Sequence, residues 1–199
     1  MTFSRILCSV LLGLTLILSG CNKSEAPWHG ENITGVMPKL EFQLTDENGQ
    51  PVTAQNFLGK VTLLYFGYTH CPDICPTTLS TLAHALKAMD PKKADDVRVL
   101  FVSVDPKRDT PELLKSYTNA FAPQMVGLTG DPKQLAALSK RYRVSYGYGK
   151  PDQNGNYEVY HSSAIFVFDG TGKIRLLSKD SNGSANIAED LTRLVDELH

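Results

Sequence analysis

VTLLYFGYTHCPDICP, residues 61–76, is the stretch from which the fold of this chain is legible. Val61–Phe66 is a continuous apolar run, the pattern of a central strand buried on both faces. Gly67 ends it, a short loop follows, and Cys71 and Cys75 stand where the next helix is expected. That helix is predicted over Thr77–Met89, where Leu79, Leu82, Leu86 and Met89 fall on one stripe and Pro76 suits a first turn. A second apolar run, Val97–Val104, supplies the next buried strand. Strand, helix and strand in that order form a parallel pair joined by one crossover.

The flanking segments extend this unit. Thr110-Pro111 opens a helix carrying Leu113, Leu114, Tyr117 and Phe121, and Asp131-Pro132 opens another carrying Leu135, Leu138 and Tyr142. Ala164–Phe168 and Lys173–Leu177 flank Asp169-Gly170-Thr171-Gly172, a hairpin pattern. Ile187, Leu191, Leu194 and Leu198 mark a closing amphipathic helix. On the N-terminal side, Leu40, Phe42 and Leu44 alternate ahead of Asn48-Gly49, a second turn signal. The expected class is α/β: a thioredoxin-like fold with a central mixed sheet flanked by helices and an N-terminal hairpin extension. It forms one domain over residues 39–199.

Composition excludes several alternatives. The chain has 199 residues, of which 42% are hydrophobic and 21% charged, and 20 Lys plus Arg against 21 Asp plus Glu leave a formal charge of -1. Such a balance speaks against a bulk nucleic-acid binder, which usually shows a basic excess. Residues 1–20 have the layout of a lipoprotein signal peptide: Arg5, an apolar run from Ile6 to Leu18, then Ser19 and Gly20 before Cys21. Leu18-Ser19-Gly20-Cys21 is similar to the bacterial lipobox, so Cys21 is the expected lipidation site. Residues 21–38 are expected to be a lipidated N-terminus and flexible tether. The protein would then be exported and held by its lipid on the periplasmic or extracytoplasmic side of a bacterial membrane.

Export and lipidation remove Cys8 and Cys21 from the folded domain and leave only Cys71 and Cys75. A bridge over so short a loop would stabilise little, so the pair points to chemistry rather than stapling. A helix N-terminus favours thiolates, the form that attacks disulfides and binds soft metals. Were the helix to wind from Cys71, the i,i+4 spacing would stack both sulfurs on one face. Cys-x-x-x-Cys permits either a disulfide or a two-sulfur metal clamp, and the spacing does not choose. A clamp wants a third ligand, commonly imidazole. His29 lies in the tether, His199 is terminal, His84 falls off the apolar stripe, and His70 abuts Cys71 too closely. His161 precedes an apolar strand that could return it over the cysteine loop; a hydrogen-bonded loop histidine is the competing reading. Two thiolates and an imidazole suit copper(I), whereas zinc would want a fourth ligand that nothing identifies.

YFGYTHCPDICP, then VSVDPKRDTP at residues 102–111, then His161-Ser162 before a strand, resembles the Sco/SenC family. The similarity runs from about Gly35 to the C-terminus and includes LTDENG at residues 44–49. It implies copper, as Cu(I) and/or Cu(II), bound by Cys71, Cys75 and His161. It also implies a role in building the CuA site of cytochrome c oxidase, with the oxidase subunit and an upstream copper donor as partners and the inner membrane as address. Asp105 matches the family's Asp-Pro motif near the metal loop and is a candidate to support the ligands; a simple turn ending the strand is the alternative. Asp73 is expected to face water. Many members carry Asp directly before the ligand histidine, where this chain has Tyr160. A metallochaperone is the leading expectation. The runner-up is a thiol–disulfide oxidoreductase that reduces its partner's copper-site cysteines through Cys71 and Cys75. A peroxiredoxin-like site is disfavoured, because Thr69-His70-Cys71 is one residue short of Thr-x-x-Cys.

Overall fold

A computed structural model describes residues 26–199. The expected signal peptide and the expected lipidation site at Cys21 lie outside the described residues. Among the described residues, no helix is long and apolar enough to cross a membrane.

The predicted parallel pair is the centre of the molecule. Strand β4 (Val61–Gly67) runs parallel to β5 (Val97–Ser103), in register from Val61↔Val97 to Gly67↔Ser103. Every residue of β4 is buried, as a strand covered on both faces requires. Helix α1 (Ile74–Ala88) and the four-residue α2 (Pro91–Ala94) make the crossover. Helix α3 (Pro111–Asn119) then leads to β6 (Met125–Thr129), parallel to β5, and α4 (Pro132–Arg141) follows. Both helices begin as their sequences demand. Thr110 Oγ1 accepts from Leu113 N–H, and Asp131 with Gln134 forms a capping box, each ahead of a proline at the first helical position.

Antiparallel strands complete an eight-stranded mixed sheet. The expected N-terminal hairpin is β2 (Gln43–Asp46) with β3 (Pro51–Thr53), and β2 pairs with β6 at one side. The expected late hairpin is β9 (Ile165–Phe168) with β10 (Ile174–Ser178), and β9 lies antiparallel to β4 on the other side. In both turns an aspartate, Asp46 or Asp169, accepts backbone N–H groups from residues two and four ahead. Helix α5 (Ser184–Asp196) closes the chain and packs on α1. A separate two-stranded sheet, β7 (Tyr146–Tyr148) with β8 (Val159–His161), has no counterpart in the sequence reading.

The domain begins earlier than residue 39. Strand β1 (Glu31–Asn32) adds to the edge of the sheet beside β10, and Ile33 is buried in the core. The Trp28 ring lies against the Arg193 guanidinium, 3.8 Å from ring centroid to Cζ. The buried Asp190 carboxylate accepts from His29 N–H at 3.1 Å and Gly30 N–H at 2.8 Å. Residues 28–33 are polar enough to pass for a tether. Their docking depends on a carboxylate and a guanidinium some 160 residues away, which no local pattern reveals. Starting the chain at Lys39 rather than Ala26 should therefore cost about 3 kcal/mol from the loss of Ile33 and Trp28 burial. Thermal denaturation should show a Tm lower by roughly 6–12 °C; equal Tm values would mean that this segment contributes no stability.

Candidate metal centre

The centre forms at the carboxyl ends of the two central strands, because β4 and β5 end together. Gly67 pairs with Ser103, and Val104 N–H donates to Gly67 O at 2.9 Å, so the loops after both strands leave side by side. Ligand sites in sheets with parallel strands gather at such carboxyl ends. The loop after β4 turns once, with Cys71 N–H donating to Tyr68 O at 3.3 Å, before α1 starts at Ile74. The helix thus does not wind from Cys71. That residue lies on the turn, half-buried, while Cys75 is the second residue of α1 and is fully buried. Cys75 N–H points at Cys71 Sγ at 3.5 Å.

His161 arrives from the other direction. It ends β8 opposite Tyr146, and the following strand β9 runs back along β4 with Ile165 beside Tyr65. The imidazole is thereby set over the cysteine loop, with Nε2 3.2 Å from Cys75 Sγ. Its Nδ1–H donates to Ser162 O at 3.0 Å, which leaves the Nε2 lone pair directed at the sulfurs. Tyr65 and Tyr68 stand edge-on to the ring at centroid distances of 6.1 and 5.9 Å.

Donor atoms of Cys71, Cys75 and His161 all lie within 4.8 Å of one another. Metal–donor bonds of about 2.0–2.3 Å place donor pairs roughly 3.5–4 Å apart, so this spread suits one ion. The donor chemistry, two sulfurs and one imidazole, is that of a soft-metal site, and copper(I) fits it with three ligands. Burial pushes the His161 imidazole below the usual histidine range, keeping it neutral and able to coordinate. Burial also pushes the Cys75 thiol up to about 12, outweighing the helix N-terminus expected to favour its thiolate. The metal must therefore displace a proton there. Among the described residues, the Tyr65 and Thr78 hydroxyls are buried near Cys75 without hydrogen-bond partners, and a sulfur ionised by metal would give Tyr65 an acceptor.

The other histidines stay apart. His29 pairs with Glu189, His199 with Asp96, and His84 is exposed beside Ser80. His70 is exposed, with Nδ1 3.0 Å from Thr69 Oγ1. Asp73 is exposed at the start of α1, as expected. Asp105 is fully buried yet makes no hydrogen bond to the three donors. Its carboxylate accepts from Arg108 Nε at 2.5 Å and Tyr157 Oη at 2.7 Å, and the Arg108 guanidinium stacks 3.8 Å over the Tyr157 ring. Tyr148 Oη donates to Val104 O at 2.6 Å. Asp105 is thus more than a turn: with Arg108 it fastens the loop after β5 to the segment that carries His161. Tyr160 is 62% exposed. Successive strand residues face opposite ways, so position 160 looks away from the imidazole, and Ser162 O orients the ring.

Gly67 is a site residue that the sequence reading saw only as the end of a strand. A Cβ there would lie 2.5 Å from the Phe101 ring and 2.9 Å from Cys75 Sγ. Only hydrogen leaves room for the sulfur. Gly67→Ala should cost about 1–3 kcal/mol by overpacking and should displace Cys75. Chemical denaturation and the alkylation rate of Cys75 check both effects; an unchanged protein would show that the backbone yields freely.

Comparison with known proteins agrees with this geometry. The SCO1/SenC family model matches residues 35–196. The SCO2-like protein of Rickettsia felis is 37% identical over 175 residues, 84% of either chain. The mitochondrial protein SCO2 of Saccharomyces cerevisiae is 42% identical over 135 residues, 66% of this chain, which spans only 44% of that relative's length. Among solved structures, copper-bound ScoI of Bradyrhizobium japonicum superposes with a TM-score of 0.71 at 42% identity, covering 78% of this chain and 98% of that one. With its thioredoxin-like sheet, its two cysteines and its facing histidine, this chain belongs to the SCO1/SenC family.

Proposed function

We propose that the protein binds copper through Cys71, Cys75 and His161 and acts in the assembly of cytochrome c oxidase. It would deliver copper to the CuA site or prepare that site to receive it. The observation that carries this reading is the convergence of two free thiols and a neutral, oriented imidazole from segments 86 residues apart. Copper bound to the related ScoI supports the choice of metal. Copper is the cargo here. Cys71 is the half-buried donor and Cys75 the deep one, so an incoming thiol from a donor or recipient protein reaches Cys71 first and ligand exchange starts there. A lipid on Cys21, with residues 1–20 removed as a signal peptide, would hold the domain at the inner membrane facing the periplasm, where an upstream donor and the oxidase subunit are accessible.

The same asymmetry supports a second reading, reduction of the partner's copper-site cysteines. The Cys71 thiolate would attack a partner disulfide and release one partner thiolate. The Cys75 thiolate would then attack Cys71 of the mixed disulfide, releasing the second. Two electrons and two protons pass from the Cys71/Cys75 dithiol to the partner, leaving a Cys71–Cys75 disulfide.

Anaerobic titration of the reduced protein with copper(II) separates the readings. Thiolate-to-copper charge-transfer bands saturating at one equivalent are expected, and Cys71→Ser or Cys75→Ser should abolish them while the fold survives. His161→Ala should weaken copper(II) more than copper(I), because copper(I) tolerates two thiolates. Because the buried Cys75 thiol must give up its proton, affinity should rise with pH by up to about tenfold per unit. Tight stoichiometric copper in both cysteine variants would overturn the site. Oxidation to the disulfide, with neither copper(II) nor copper(I) retained, would favour the reductase.

A further inference from the structure

The loop after β5 holds a second buried carboxylate, Asp109, that the metal site does not use directly. Its side chain is completely buried. Oδ2 accepts from Thr69 N–H at 2.9 Å and from Ser103 Oγ at 2.6 Å, and Oδ1 accepts from Thr69 Oγ1 at 2.6 Å. Among the described residues, the one basic group within ion-pair range is His70, with Nδ1 at 3.5 Å. A carboxylate placed this deep carries a heavy desolvation cost, which only a full set of donors offsets.

The donors are not spread over the fold. Two of the three belong to Thr69, two residues before Cys71, and the third to Ser103, the residue paired with Gly67. Ser103 Oγ in turn accepts from Asp105 N–H at 3.0 Å. Thr69 lies inside the turn closed by Cys71 N–H and Tyr68 O. Fixing both its backbone N–H and its hydroxyl therefore fixes the path on which Cys71 is carried. Cys75 has no such need, since α1 and the core hold it.

We propose that Asp109 is a positioning residue for the Cys71 donor: it pins Thr69 to the end of β5 so that the otherwise half-buried Cys71 sulfur stays within ligating distance of Cys75 and His161. The inference deepens the copper reading and rests on it for its metal-binding consequence, while its structural consequence stands without metal. Asn in place of Asp109 is isosteric but has one accepting oxygen, so Oδ1 and Oδ2 can no longer both accept, and the remaining bonds lose the carboxylate's charge. Thr69→Val removes the hydroxyl bond and keeps the backbone one.

The test compares Asp109→Asn and Thr69→Val with the unaltered protein, first without metal and then with copper. In the reduced, metal-free protein, the Thr69 amide should lose hydrogen-exchange protection in Asp109→Asn, and Cys71 should alkylate faster in both variants while Cys75 does not. With copper, both variants should bind about 10- to 100-fold more weakly, with altered charge-transfer bands, and the double variant should be no worse than Asp109→Asn alone. Wild-type Cys71 reactivity, copper affinity and spectrum in either variant would overturn the proposal, whatever its Tm. Should Asp109→Asn fail to fold, Thr69→Val alone decides by the same readouts. Should the unaltered protein bind no copper, the copper reading fails, and the metal-free measurements still decide the role of Asp109.

Discussion

The parallel pairing of β4 with β5 is the constraint on which everything else in this molecule rests. Seven consecutive residue pairs hold it, and the strands are so thoroughly covered that neither can slip without exposing a row of apolar side chains. Because the register ends at Gly67↔Ser103, two loops must leave the sheet at the same height. One carries the cysteines and the other carries Asp105, Arg108 and Asp109. The antiparallel strand β9, locked to β4 by the same burial, fixes where the chain comes from, and so where His161 hangs.

The electrostatics of the site follow from its depth. Burial works against charge on both kinds of ligand, holding the imidazole neutral and the Cys75 thiol protonated. A neutral imidazole is ready to coordinate, whereas the thiol is not until something replaces its proton. The pocket is thereby biased toward cations soft enough to compete for sulfur. The outer cysteine, Cys71, is only half-buried, so the two sulfurs differ in their access to solvent.

Support for the ligands comes from backbone and buried carboxylates rather than from the neighbour of the ligand histidine. Tyr160 directly precedes His161, but the strand alternation of β8 turns that position outward. Ser162 O supplies the orienting bond instead. Asp105 and Asp109, four residues apart on one loop, reach opposite ways. The first holds Tyr157 through its own carboxylate and Arg108, and the second holds Thr69.

The sequence alone determined whatever depends on neighbours along the chain. Apolar runs marked β4 and β5, a 3.6-residue stripe marked α1, Thr110-Pro111 and Asp131-Pro132 marked two helix starts, and Asn48-Gly49 and Asp169-Gly170-Thr171-Gly172 marked two hairpins. Cys71 and Cys75 were legible as a pair because they are four residues apart and no other cysteine falls within residues 39–199. Spacing and residue chemistry alone left His161 open between ligand and loop histidine. Tertiary structure put its Nε2 against Cys75, docked residues 28–33 on Asp190 and Arg193, formed the β7–β8 ribbon, required glycine at 67 and assigned Asp109 to Thr69. Each of these rests on contacts between residues distant in sequence, whose geometry is set only once the sheet has closed and buried them. Periodicity and capping are properties of a few consecutive residues, and a ligand set is a property of the whole fold.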